Sequence, residues 1–189
     1  SIGGAIINNT IASNSYSIRF NFESAGNIMY ALSKATNIRK NNDGEYAILG
    51  IPYAQYVKGE FDFSKNIRID HRNSFAFHIG MGIAVPYGNA KTIPFEKQYF
   101  SGGANSVRGW TVRDLGPGSF VRDENTNLLD QSGDIKLDAS IEYRSKLFWK
   151  FQGAIFVDAG NIWTIRDYDN QPGGVFKFDK FYKQIAVAY

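Results

Sequence analysis

Apolar and polar residues alternate with period two in seven separate stretches of this chain, and that pattern excludes most folds before any motif is considered. Tyr16 to Glu23 sets Tyr16, Ile18, Phe20 and Phe22 against Ser17, Arg19, Asn21 and Glu23. Tyr53 to Asp70 sets Val57, Phe61, Phe63, Ile67 and Ile69 against Lys58, Glu60, Asp62, Ser64 and Arg68. Ser74 to Tyr87 sets Phe75, Phe77, Ile79, Met81, Ile83, Val85 and Tyr87 against small residues and His78. Asp134 to Arg144 sets Ile135, Leu137, Ala139, Ile141 and Tyr143 against Lys136, Asp138, Ser140, Glu142 and Arg144. Phe151 to Trp163, Phe181 to Tyr189 and the weaker Ile2 to Ile11 complete the series. Such alternation gives strands with one apolar and one polar face. The reading is an all-β, antiparallel chain of about seven strands.

The connections decide which antiparallel fold. Residues 12–15, 71–73 and 148–150 are short; residues 27–50, 88–133 and 164–180 are long. Short turns at one end and long loops at the other are the habit of transmembrane barrels, whose turns are periplasmic and whose loops are extracellular. A soluble β-sandwich also alternates, but its strands average ~5–6 residues, and several here run past ten. Twelve steps from Phe151 to Trp163, at ~3.3 Å each and ~45° tilt, cross roughly 28 Å, against an apolar band of ~25 Å. Phe148, Trp149 and Phe151 at a short turn, with Tyr87 and Trp163 at the long-loop end, are placed as the two aromatic girdles. Bacterial single-chain barrels have even strand counts from eight upward, so seven strands are read as part of a larger barrel. Asn27 to Ala35 carries Ile28, Ala31, Leu32 and Ala35 at helical spacing, which predicts a short helix inside the first long loop.

Composition narrows the function classes. Aromatic residues are 15% of the 189, led by 15 Phe and 11 Tyr, while mean hydropathy is −0.30. The rings must therefore be segregated onto one face. There is no Cys, so neither a disulfide nor a thiolate metal site forms. Twenty-one basic residues against 18 acidic ones give +3, with both signs interspersed, so nucleic acid is not an indicated partner. No apolar run reaches 18 residues, so no transmembrane helix is present in the sequence. The first residues show no basic n-region and apolar h-region. His71 and His78 have no metal-ligand spacing, and no cofactor is indicated. Gly102-Gly103 and Gly116-Pro117-Gly118 lack the Lys-Ser/Thr of a phosphate loop. A Ser-His-Asp site recruiting His78, or Glu142 and Asp158 as a glycosidase acid and base, would need a substrate cleft that nothing in the sequence marks.

The 46 residues from 88 to 133 far exceed the ~12–15 of ordinary loops, and loops of that length tend to be functional or disordered. Phe95, Phe100, Val107, Trp110 and Val112 give this one the means to pack. The glycines permit tight turns. Arg108, between Val107 and Gly109, is suited to insertion into a polar cavity, where its planar fork pairs with carboxylates. Alternation faces Glu142 away from Ile141 and Tyr143, and Asp158 away from Val157, so both carboxylates point inward.

Pro94 to Gly118 resembles the sixth extracellular loop of the BamA/TamA superfamily of outer-membrane insertases and translocators (bacterial surface antigen domain). The family motif Val/Ile-Arg-Gly-Phe/Tyr is met by Val107-Arg108-Gly109-Trp110, with Trp for the usual Phe or Tyr. Gly102-Gly103 before it and Leu115-Gly116-Pro117 after it also match. Asp158-Ala159-Gly160, followed by Trp163, meets a second motif, and Glu142-Tyr143 a third. The resemblance covers essentially the whole chain as the C-terminal half of an about 16-strand barrel. It implies that residues 88–133 fold into the lumen and that Arg108 bridges Glu142 and Asp158. It further implies a non-enzymatic factor of the Gram-negative outer membrane that assembles, inserts or translocates proteins through a barrel seam whose first and last strands pair poorly. Its implied partners are unfolded outer-membrane protein clients, the lipid bilayer and periplasmic or lipoprotein accessory subunits. Transport-associated periplasmic domains would lie before residue 1. A two-partner-type secretion pore is the alternative within the superfamily, and a passive porin or surface-binding barrel the alternative outside it.

Overall fold

The computed structural model describes residues 2–11, 14–36, 38, 40–41, 44–48, 51–121 and 131–189. The strands are β1 (Ile2–Ile11), β2 (Asn14–Ala25), β3 (Ala47–Ile48), β4 (Ile51–Pro52), β5 (Tyr56–Arg68), β6 (Asn73–Pro86), β7 (Ile135–Lys146), β8 (Gln152–Trp163) and β9 (Ala186–Ala188). Seven of them form one antiparallel sheet in the order β1-β2-β5-β6-β7-β8-β9, and β3 and β4 form a separate small hairpin. Five of the sheet strands are 12 to 14 residues long. Every neighbouring pair is antiparallel, and each strand of the main sheet pairs with the next one along the chain. This is the meander of an up-and-down barrel wall.

Cross-strand register keeps the period-two faces aligned over the sheet. Phe20 faces Phe61, Phe61 faces Met81, Met81 faces Leu137, and Ile141 faces Val157. One face is therefore apolar and uncovered: Phe20, Ile79, Met81, Ile141, Ile155 and Val157 are all exposed, Ile155 to 74%. Had this been a water-soluble sandwich, those side chains would form the core. Instead, Trp163 apart, the buried sheet residues lie mostly on the opposite, polar-sequence side, where Gly80, Gly82 and Ala84 of β6 are covered. Small residues there make room for the long loop. A Cβ on Gly82 would lie 2.5 Å from Cζ of Tyr99, and the Tyr99 hydroxyl donates to the Gly59 carbonyl at 3.2 Å.

The long connections 26–55, 87–134 and 164–185 leave one end of the sheet, and the short ones leave the other. Helix α1 (Asn27–Ala35) forms in the first long connection. Its apolar stripe does not pack on the sheet: Ile28 and Leu32 are exposed, while Ser33 is buried. Two expectations need correction. Phe181–Tyr189 is not one strand but a 3-10 turn over Phe181–Lys183 followed by the three-residue β9. The reason is local, since Phe181-Tyr182-Lys183-Gln184 does not alternate, and period two begins only at Ile185. Trp163 is not an exposed girdle residue. It is fully buried, with Phe176 and Phe181 edge-on at 5.5 and 6.4 Å and its indole N–H donating to Gln184 Oε1 at 2.8 Å. At the short-turn end, Phe148, Trp149 and Phe151 are exposed, and Tyr87 at the other end donates its hydroxyl to Asn27.

Candidate functional site

The described part of the 87–134 connection is bound to the polar face at several points. Tyr99 and Gly133 exchange two backbone hydrogen bonds at 2.8 Å, and the Arg113 N–H donates to the Ser101 carbonyl at 3.0 Å. The Gly118 N–H reaches the Ile162 carbonyl at 2.7 Å, and Asn161 Nδ2 donates to the Gly118 carbonyl at 2.9 Å. Residues 122–130 lie outside the described residues. Ladder-like bonds at both flanks hold the tip, Gly102 to Trp110, against β7 and β8.

Glycine is required at the tip for two reasons. Gly102 and Gly103 have φ of 95° and 88°, a region that L side chains rarely occupy, and a Cβ on Gly102 would run into the Thr111 carbonyl oxygen. Gly109 is required for closeness: a Cβ there would meet Ala188 Cβ at 2.7 Å. Val107 is fully buried and packs with Leu115 and Ala188, flanked by Trp110 and Phe156. Trp110 thus packs as an apolar side chain beside Val107, and its carbonyl accepts the Gly103 N–H at 2.8 Å. Burying Val107 fixes the direction in which the next side chain leaves.

That next side chain is Arg108. Its Nε donates to Asp158 Oδ2 at 2.6 Å and its Nη2 to Asp158 Oδ1 at 2.8 Å, a bidentate pair. Its backbone N–H adds a third bond to Asp158 Oδ2 at 3.1 Å. Its Nη1 donates to Glu142 Oε2. Glu142 stands on β7 and Asp158 on the neighbouring β8, so one guanidinium joins two wall strands to one loop tip. The Asp158 side chain is wholly buried. A buried carboxylate is tolerable only when paired and hydrogen-bonded, and three donors from Arg108 meet that need. The hydrogen bonds to Asp158, ahead of those to Glu142, raise the Arg108 pKa further, so the guanidinium stays charged.

Three further residues belong to this arrangement that the motifs do not mark. The Arg108 guanidinium lies 3.7 Å from the Phe156 ring centroid, a cation–π contact. Phe156 shares the polar face with Asp158 by strand parity, which is the signal that could have found it. Arg144 Nε donates to Glu142 Oε1 at 2.5 Å, so Glu142 serves two arginines and the cluster of two cations and two anions is neutral. Ala188 on β9 is the small residue that admits Gly109.

The same face holds a cavity of about 500 Å³ beside the cluster, lined in part by Ser64, His78, Ser106, Arg108 and Arg144. Ser64 Oγ lies 3.2 Å from His78 Nδ1, and His78 Nε2 lies 3.3 Å from Asp138 Oδ2, whose other oxygen faces Lys136 Nζ at 3.2 Å. Ser64, His78 and Asp138 stand on the adjacent strands β5, β6 and β7, so the trio forms a cross-strand polar network. Glu142 and Asp158 are both held by Arg108 as a charge-paired cluster. His71 sits apart in the short turn before β6.

Comparison with known proteins agrees with this architecture. Residues 8–187 match the Omp85 superfamily domain. The outer membrane protein assembly factor BamA of Neisseria meningitidis serogroup B is 35% identical over 99 residues, which covers 48% of this chain and 12% of that protein. The crystal structure of BamA from Haemophilus ducreyi lacking POTRA domains 1–3 superposes with a TM-score of 0.52 and 18% identity, over 93% of this chain and 44% of that one; at that identity the likeness shows the fold. The chain thus spans well under two thirds of either relative. It is a segment of an antiparallel transmembrane β-barrel of the Gram-negative outer membrane, and it belongs to the Omp85 superfamily.

Proposed function

We propose that this chain is the C-terminal part of the barrel of an outer-membrane protein assembly factor, BamA/TamA-like and non-enzymatic, and that the 88–133 loop folds into its lumen as an internal brace. The observation that carries the reading is the Arg108 clasp on Glu142 and Asp158, made on the polar face by a motif that resembles the family's. In a closed barrel the polar face lines the lumen, so the loop tip would stand inside the cylinder. A barrel that accepts an incoming strand by edge pairing must open at a seam without losing the rest of its wall. A guanidinium tied to adjacent strands, with a buried carboxylate that is costly to strip, holds β7 and β8 to the loop while the seam moves. The proposed clients are unfolded outer-membrane proteins, with the bilayer and periplasmic or lipoprotein subunits as further partners.

Depletion of the full-length protein tests this directly. Loss of many unrelated outer-membrane barrels is the expected result. Loss of a single secreted protein would instead place the chain with two-partner exporters. Steady ion conductance with no effect on barrel insertion into liposomes would make it a passive pore.

A further inference from the structure

The apolar face is uncovered over most of its area but not at the long-loop end. There, residues 176–183 of the last long connection fold back on it, and Phe176 and Phe181 seal Trp163. Beneath this flap and extending from it the face forms a cleft of about 510 Å³, lined by β2 and by β5 to β8, among them Phe22, Val57, Ile83, Ile135 and Trp163, and by Phe176 and Phe181. An apolar cleft on the bilayer side of a barrel wall has the shape and chemistry of an acyl-chain site. The flap's other side has a different character. Lys177, Lys180 and Lys183 are exposed within seven residues that include one acid, Asp179. Phe178 and Tyr182 point outward between them, at 85% and 58% exposure. Interleaved lysines and aromatic rings are the composition of a segment lying at an anionic headgroup layer. The exposed aromatic turn at the opposite end, Phe148-Trp149-Lys150-Phe151, carries one lysine among its four residues.

We infer that the 176–183 flap and the cleft beneath it form a site for an anionic, phosphorylated lipid of the outer leaflet, with an acyl chain in the cleft and its phosphate at Lys177, Lys180 and Lys183. Placement at the long-loop end selects the outer leaflet. The lysine charge selects a phosphate-bearing headgroup over a zwitterionic one.

The test uses full-length protein in phosphatidylcholine nanodiscs containing a minor fraction of bis-phosphorylated lipid A with a photoactivatable acyl chain. Adducts are mapped by mass spectrometry. They should concentrate on residues 176–183 and on Ile83 and Ile135, not on Ile155 lower on the same face. A lysine near an anionic surface is worth about fivefold in binding, so Lys177→Glu, Lys180→Glu and Lys183→Glu combined should cut the yield at least about tenfold. Removing the lipid's phosphates should do the same to the native protein. Ile135→Trp, which plugs the cleft, should lower acyl adducts while the barrel still migrates as folded in unheated gels. Adducts spread evenly along the apolar face, indifference to both charge reversal and phosphate removal, or cross-links from the cleft to a second copy or another protein would each overturn the site.

Discussion

Two long connections fold back onto this sheet, one on each face, and they hold on by opposite means. Connection 87–134 lies on the polar face and is fastened by charge and backbone: a guanidinium between two carboxylates, two glycines at positive φ and ladder-like hydrogen bonds. In connection 164–185 the first half is tied by hydrogen bonds to Thr164 and to the other loop, Thr164 N–H to the Gly174 carbonyl at 2.9 Å and Arg166 Nη1 to the Lys91 carbonyl at 2.7 Å. Its second half lies on the apolar face and is fastened chiefly by rings, with Phe176 and Phe181 against Trp163 and an indole hydrogen bond to Gln184. Each face recruits a cover of its own chemistry. The consequences differ in kind. A charged clasp is specific in geometry and severe when broken, because the partner left behind is a buried ion. An aromatic seal loses area in proportion to what is removed.

The clasp side should therefore break harder. Arg108→Ala leaves Asp158 buried without its three donors, and the expected loss is about 3–5 kcal/mol, read as a fall in the urea unfolding midpoint of the detergent-solubilised barrel and, under the proposed function, as a loss of barrel insertion. Arg108→Lys keeps the charge but not the fork that reaches both carboxylates, and should fall between native and alanine. Equal stability of the native and Arg108→Ala proteins would end the contrast between the two loops. On the aromatic side, Phe176→Ala removes a half-buried ring, with an expected loss of about 1–1.5 kcal/mol. Trp163 fluorescence offers a local readout, since its emission should shift to the red as water reaches the indole. A loss from Phe176→Ala exceeding that from Arg108→Ala would reverse the ranking.

Backbone demands sharpen the difference further. Gly102→Ala must hold an L side chain at a φ of 95° and also push the Thr111 carbonyl aside. Strain of about 1–3 kcal/mol is expected, measured as a lower unfolding midpoint and faster proteolysis of the loop. No glycine in the aromatic flap's Phe176–Lys183 segment plays an equivalent part.

The same contrast governs what was legible in the sequence. Strand faces could be read almost completely because alternation survives wherever one face is buried or lipid-exposed, and register then follows. The residues of the clasp were legible because a motif repeats the same few side chains in a fixed order, and parity faced Glu142 and Asp158 the same way. Phe156 and Arg144 escaped because they act as neighbours of the motif residues. The aromatic flap was invisible for a physical reason. Trp163 ends a clean strand, and nothing in its own segment says that Phe176 and Phe181 return to cover it. Phe181–Tyr189 falls short of a full strand because alternation starts only at Ile185, so that only Ala186–Ala188 pairs with β8, and Phe181 is left to pack on Trp163. Ring-on-ring contacts between distant segments leave no periodic trace.

Asp134 sits where the two connections meet, and it gives the smallest but most diagnostic effect. Its N–H donates to the Trp163 carbonyl and its carbonyl accepts the Ala84 N–H, both at 2.8 Å. Its Oδ2 accepts the Ile165 N–H at 3.0 Å, while its Oδ1 has no hydrogen-bond partner among the described residues. Burial raises its pKa above the ordinary aspartate value, and the Ile165 hydrogen bond and the nearby Arg166 only partly oppose it. The sign follows from proton binding. The folded state holds this proton more tightly than the unfolded chain, whose carboxyl titrates near ~3.9. The contribution is therefore most favourable below that pH and is lost as pH rises through the raised folded value. Asp134→Asn removes the titration and keeps an oxygen for the Ile165 N–H. The variant should gain stability relative to the native protein as pH rises from about 4 toward neutrality, with the two urea midpoints diverging over that window. Parallel midpoints across the window would mean that Asp134 is charged and compensated in the folded state. The junction between the loops would then share the clasp's chemistry instead of the seal's.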